Sequence, residues 1–272
     1  MENATKFEAF GFGKRMKSML KVDFRRMFKS KLFYILIACA LLIPILMTVM
    51  MSMMDGSVSV DPQTGEETVV QGPVNTWQNI GTIPSEEPLS GSDIFAMCNI
   101  NMAFMGVCVF VCLFISDDFR SGYAKNLFTV RAKKGDYIIS KTLAGFVCGA
   151  LMLIAYFLGA ILGGAVSSLS FDLSAYGLSF GNLAMCMLAK ICLMPVFVSI
   201  FTLISVGAKQ RAWLSICGSL GGGMLLFMMI DLVAAPLKST PINVILCLVG
   251  GILFAVGLGA IGKTVLKKTS LV

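Results

Sequence analysis

Six long runs of apolar residues recur along this 272-residue chain, at 32–54, 94–116, 142–166, 183–208, 212–235 and 243–262. A helix needs about 20 apolar residues to cross a hydrocarbon core of about 30 Å, and every run reaches that length. Each is also too long for a strand. In lipid, a helix satisfies its own backbone polar groups, which an open strand cannot do. Composition agrees: 57% of residues are hydrophobic and 14% charged, with mean hydropathy +0.84. An ordinary soluble domain carries about 25% charged residues. The expected fold is therefore an all-α membrane protein with six transmembrane helices. There is no histidine. That removes Ser-His-Asp triads, Cys-His dyads and histidine metal sites, and no catalytic, cofactor-binding or metal-binding residue is assigned to this chain.

The charges give the orientation. Of the 22 Lys and Arg residues, nine precede the first run, six lie in 117–141, two in 209–211 and three after the sixth run. The alternate loops hold only Lys238, and Lys190 lies inside a run. The positive-inside rule then puts both termini in the cytoplasm. Eight acids fall on the outer side: Asp55, Asp61, Glu66, Glu67, Glu86, Glu87, Asp93 and Asp172. The net charge of +7 thus reads as membrane orientation, with no nucleic-acid partner expected. Residues 1–31 form a cytoplasmic tail and a basic amphipathic helix ahead of a six-helix domain over 32–272. Phe12, Met16, Leu20, Phe24, Met27 and Phe28 recur at spacings of three and four, with Lys14, Lys17, Lys21, Arg25 and Lys29 on other faces. Such a helix lies in the membrane interface, as a lipid anchor or as an elbow touching a cytoplasmic partner. The extracytoplasmic loop 55–93 is rich in Gly, Ser, Pro, Asp and Glu, and its DPQTGEE at 61–67 reads as a hairpin turn within a small lid or loop.

Several polar features sit within or beside the apolar runs. The stretch Gly257 to Thr264 fits the phosphate-loop pattern G-x-x-x-x-G-K-[ST] letter for letter. A true phosphate loop follows a strand and opens a helix in an α/β domain, whereas this one closes an apolar run, so it reads as close helix packing. Lys190 and Asp231 are the ionisable residues well inside spans, at similar depths on adjacent helices. They read as an intramembrane ion pair or as a proton or ion relay. Asn99 and Asn101 stand in the outer half of the second run, lining a pathway or bonding across helices. All nine cysteines lie in apolar runs with no CxxC pair and read as small buried hydrophobes. Pro44 and Pro195 mark expected kinks, and Gly221 to Gly223 a close contact or hinge.

The cytoplasmic segment 117–141 opens with acids and ends in bases, the order that suits a short helix with its macrodipole. Tyr123, Leu127 and Val130 share one face there. In the pattern Asp118…Ser121-Gly122…Arg131…Ser140-Lys141, the chain resembles the ABC-2 family of ABC transporter permeases. That family carries an acid, a small-Gly step, a short helix, an arginine, and a Ser-Lys that opens the third span. The basic elbow, six spans and cytoplasmic termini agree with it; Tyr123 replaces the usual Thr.

The resemblance implies a permease that pairs with a second copy or homologue, sits on separate ABC ATPase subunits that bind ATP and magnesium, and contacts membrane lipid. It implies a multi-pass protein of a prokaryotic plasma (inner) membrane. Residues 117–134 become the coupling helix, with Asp117, Asp118, Phe119, Arg120, Ser121, Gly122, Tyr123, Leu127 and Arg131 as the ATPase-coupling residues. Lys209 and Arg211 become a second contact. The second and fifth spans flank the substrate path, which points to Asn99, Asn101, Met102 and Ser219. Residues 232–242 become an outer re-entrant turn. The function so implied is export of an amphipathic peptide, drug-like molecule or lipid, as in antimicrobial peptide resistance. An ion-coupled secondary transporter and a membrane sensor or scaffold are the alternatives.

Overall fold

The computed structural model describes residues 11–60, 67–69, 73, 75–77, 99–130, 133–174, 178–233 and 240–268. Among the described residues the fold is eight helices and one short antiparallel hairpin. The helices are α1 (Phe12–Lys29), α2 (Lys31–Met53), α3 (Met102–Arg120), α4 (Tyr123–Val130), α5 (Lys134–Val166), α6 (Phe180–Ala208), α7 (Ala212–Val233) and α8 (Pro241–Lys268). Five of them, α2, α3, α5, α6 and α8, are long and apolar enough to cross a membrane. The fifth apolar run is also helical: α7 has 22 residues, about 33 Å at 1.5 Å per residue.

Several boundaries differ from those read in the sequence. The second membrane helix begins at Met102, because Asn99 turns the chain just ahead of it. The Asn99 side-chain carbonyl accepts the Asn101 backbone N–H at 2.9 Å, a local alternative to helix. Residues 94–98 lie outside the described residues. The helix ends at Arg120 and the expected coupling segment 117–134 holds a helix only over Tyr123–Val130, so Asp117 to Arg120 belong to the end of α3. Helices α5 and α8 extend past their apolar runs into the basic flanks, since long helix-forming side chains there favour continuation. Helix is unbroken across Pro44, Pro195 and residues 257–264. The phosphate-loop match is therefore helix, with its amides spent on backbone carbonyls and the Thr264 hydroxyl bonded to the Ala260 carbonyl at 3.1 Å.

Helix α6 is the centre of the bundle and packs on α3, α5, α7 and α8, while α2 lies along α5. Between helices in lipid there is little hydrophobic driving force, so close approach depends on small residues. The α2–α5 contact is built this way. A Cβ at Gly159 would run into the Leu41 carbonyl, and one at Gly163 into Thr48. Gly251 of α8 meets the Cys192 carbonyl of α6 in the same manner. The outward faces are apolar: Ile35, Leu42 and Leu46 on α2, and Leu246, Val249 and Leu253 on α8, are exposed. Five cysteines (Cys108, Cys112, Cys148, Cys186 and Cys247) are buried as expected, while Cys39 and Cys217 are exposed.

The hairpin pairs β1 (Val58–Val60) with β2 (Glu67–Val69), Val58 opposite Val69. The expected turn falls between them, and its residues 61–66 lie outside the described residues, as does most of 70–98. Part of the outer loop is firmly seated. Trp77 is 2% exposed, stacks on Phe157 and donates its indole N–H to the Phe171 carbonyl at 3.0 Å. Asn75 donates to the Asp172 carbonyl at 2.6 Å, and Thr76 fills the space beside Gly164.

Substituting Gly159→Val should lower stability in detergent by about 1–3 kcal/mol, because a backbone carbonyl cannot rotate away from the new side chain. Gly257→Ala, which meets nothing within 4 Å, should not lower it. Thermal unfolding of the purified chain checks both.

Candidate functional site

The pattern Asp118…Ser140-Lys141 converges on one buried cluster. Lys141 is 1% exposed, and its ammonium lies 2.7 Å from Asp23 Oδ1 and 2.7 Å from Asp118 Oδ2. Asp118, wholly buried at the end of α3, also accepts from Arg26 at 2.5 Å and from the Tyr137 hydroxyl at 2.9 Å. Asp23 accepts from the Ser140 hydroxyl at 2.5 Å. Two carboxylates thus face one ammonium and one guanidinium, so the cluster is neutral and its charges are hydrogen-bonded. Those are the conditions under which buried ions are tolerated.

Aromatic rings close the cluster. The Arg26 guanidinium sits 4.4 Å from the Tyr123 ring centroid and the Lys141 ammonium 4.0 Å from that of Phe114. Burial alone would lower the Arg26 pKa, but the Asp118 carboxylate outweighs it and holds the guanidinium above its ordinary value. Burial, then the Asp23 and Asp118 carboxylates, push the Tyr123 phenol up, so it stays neutral.

The elements that meet here are α1, the end of α3, α4 and the start of α5. Helix α3 stops where Ser121 bonds back to the Asp117 carbonyl through both its amide (2.8 Å) and its hydroxyl (2.7 Å). Gly122 follows with φ +74°, a left-handed conformation that a side chain would strain. This Ser-Gly step swings the chain into α4. There Ala124 is fully buried and Phe128 packs edge-on to Tyr137 at 5.3 Å. Gln210, in the α6–α7 turn, reaches the Phe119 carbonyl at 3.4 Å, so the α6–α7 turn meets the end of α3. Arg15 and Asp136 pair at 2.9 Å on the other side of the cluster.

The expected coupling residues therefore divide. Asp118 is enclosed by its own chain, and Phe119, Tyr123 and Leu127 are half-buried. Of the apolar face of α4 that invited a partner's groove, Tyr123 and Leu127 are partly withdrawn from water, and the Val130 side chain lies outside the described residues. What α4 exposes is Lys125, Asn126 and Thr129. Asp117, Arg120, Ser121 and Arg211 are exposed, Gly122 and Lys209 are half-buried, and Arg131 lies outside the described residues. On the elbow helix, Met16, Met19, Asp23 and Met27 form the stripe buried against the protein, while Phe12 and Phe28 are exposed. Asp23, Arg26 and Tyr137 were not singled out in the sequence. The available signal was Asp23, an acid in helical register with three buried methionines.

A second polar centre lies nearer the opposite end of the bundle. Lys190, 1% exposed, donates to the Asn101 side-chain carbonyl at 2.9 Å. Two residues read separately are thus neighbours. Asp231, the expected partner, is in α7, but its side chain lies outside the described residues, as do residues 234–239 of the expected re-entrant turn. Asn99 and Met102 are half-buried beside Asn101. Ser219 is fully buried and accepts from the Cys112 thiol at 3.3 Å, so it is separate from the Asn101–Lys190 pair.

Residues 19–225 match the family described as ABC-2 family transporter protein, a stretch that contains the whole charge cluster. The chain belongs to that family. No curated protein and no solved structure matches it. As an ABC-2 permease it is a multi-pass membrane component of an ABC transporter, working with ABC ATPase subunits and not itself a catalyst. In this ABC-2 protein the motif residues Asp118 and Lys141 are joined to one another.

Lys141→Met should cost the ABC-2 chain about 3–5 kcal/mol, because it strands two buried carboxylates. Lys125→Met, at an exposed position, should stay within about 0.5 kcal/mol of wild type. Denaturant unfolding in detergent measures both.

Proposed function

We propose that this chain is the permease subunit of an ATP-driven exporter in a prokaryotic inner membrane, with six spans, cytoplasmic termini and a second permease copy or homologue beside it. The observation that carries the reading is the buried Asp23–Lys141–Asp118–Arg26 cluster. It welds a short surface helix to the ends of two membrane helices and to the elbow helix. A helix so braced moves as one body with them, which is what transmitting force from an ATPase requires.

On this reading the exposed side of α4, with Lys125, Asn126 and Thr129, seats in the ATPase, and Arg211 adds a second contact. Asp118 and Lys141 stiffen the lever and do not touch the partner. ATP and magnesium are held by the ATPases; their closure rocks α3 and α5 through the cluster. The substrate is an amphipathic peptide, drug-like molecule or lipid. The acids on the outer side, among them Asp55 and Asp172, favour cationic amphipathic peptides by long-range attraction.

Wild-type chain purified from native membranes in mild detergent should bring an ATPase subunit with it. The Lys125→Glu/Thr129→Glu variant should fold normally and lose that subunit, because two new carboxylates face the contact. A variant that retains the subunit would remove α4 from the interface. Wild type purified without any ATPase would end the exporter reading.

The buried Lys190–Asn101 contact supports ion-coupled transport as a second reading. Substrate uptake into inverted vesicles should require ATP and persist when the proton and sodium gradients are collapsed. Gradient-driven uptake that vanishes in Lys190→Met would favour the second reading instead.

A further inference from the structure

Two adjoining cavities open beside the charge cluster and share Ser30, Phe114 and Asp117 in their walls. One, of about 390 Å³, is rimmed by Arg25 and Lys29 from the end of α1. The other, of about 270 Å³, has Arg120 and Gln210 at its mouth and Leu32, Phe110 and Leu113 along its floor. Among the described residues no carboxylate forms an ion pair with Arg25, Lys29 or Arg120. Arg26 is committed to Asp118, with Asp117 3.8 Å away. The rim therefore keeps uncompensated positive charge. Inside the second cavity lies Ser116, 3% exposed, whose hydroxyl oxygen has no hydrogen-bond partner. A buried, unsatisfied hydroxyl in a polar-rimmed cavity marks the place of a missing acceptor or donor.

We infer that this groove holds the phosphate headgroup and upper acyl chain of an anionic phospholipid. The rim matches a phosphate, Ser116 supplies a hydrogen bond to an ester or phosphate oxygen, and the floor is apolar. From Arg120 back to Phe110 along α3 is about 15 Å at 1.5 Å per residue, room for a headgroup and the first part of a chain. A free phosphate would use the rim and leave the floor empty, so the lipid is the occupant that fits both. The site sits against the braced end of α3 and is independent of which solute the permease moves.

The test uses the full purified chain in neutral detergent, delipidated, with phosphatidylglycerol, phosphatidylcholine or inorganic phosphate added, read by native mass spectrometry and thermal unfolding. Phosphatidylglycerol should be retained and should raise the unfolding temperature, while phosphatidylcholine and phosphate should not. Arg120→Gln and Lys29→Gln should each weaken retention about fivefold, the worth of one base at an anionic surface. Ser116→Val should weaken it without lowering stability in lipid-free detergent. Lys14→Gln/Lys17→Gln, which removes two exposed bases elsewhere on α1, should leave it unchanged. Equal retention of the two lipids, equal stabilisation by phosphate alone, or an equal loss in the Lys14/Lys17 variant would overturn the inference.

Discussion

Lys141 is a positive charge with almost no surface, held by carboxylates that come from two other helices. Taking an ammonium out of water costs several kcal/mol, and only close, hydrogen-bonded counter-charges return it. Its two partners approach to equal distance, and each is itself tied down: Asp118 by Arg26 and Tyr137, Asp23 by Ser140. Because no member can leave without stranding another, the ends of α1, α3 and α5 keep fixed relations. The position of α4 follows, since its start is set by Gly122 and its inner face by Tyr137. A buried ionic cluster of this kind is weak evidence for stability, and its effect here is on geometry.

The rest of the bundle uses a different physics. Within the membrane, contacts come from small residues that let backbones meet, as at Gly159 against Leu41 and Gly251 against Cys192. Among the described residues, polar contacts there include the neutral Ser205–Ser215 pair at 2.7 Å and the charged Lys190 on Asn101. Shape complementarity of this sort packs helices closely with few electrostatic constraints on their relative motion. The ends differ: the motif end is locked by charge, while at the other Trp77 and Asn75 dock the outer loop through backbone carbonyls of 171–172. Lys190, bonded to Asn101, ties α6 to the turn ahead of α3.

Much of the site was legible because a motif gives spacing. Asp118, Ser121, Gly122, Ser140 and Lys141 stood out as a pattern, but the structure supplies what each does: Asp118 and Lys141 pair, Ser121 stops α3, Gly122 turns the chain and the Ser140 hydroxyl donates to Asp23. Their mutual contact was not legible. Asp118 and Lys141 are far apart in sequence, and nothing in one strand of text says that a helix reverses between them. Asp23 was hidden for a related reason: in a basic amphipathic segment one acid looks like surface. Trp77 was hidden by the polar loop around it, although an indole needs both an apolar seat and an N–H acceptor.

By itself the sequence determined the class, the number and order of the apolar helices, and the family, because each rests on local quantities: run length, residue type and short-range spacing. Tertiary structure alone decided which side chains of α4 are exposed, which side of α1 is buried, and that Lys190 reaches Asn101. Those outcomes turn on rotations about helix axes and on contacts between distant segments. A one-residue change in register, about 100° of helix rotation, moves a side chain from core to surface, and only the packed neighbours fix that angle.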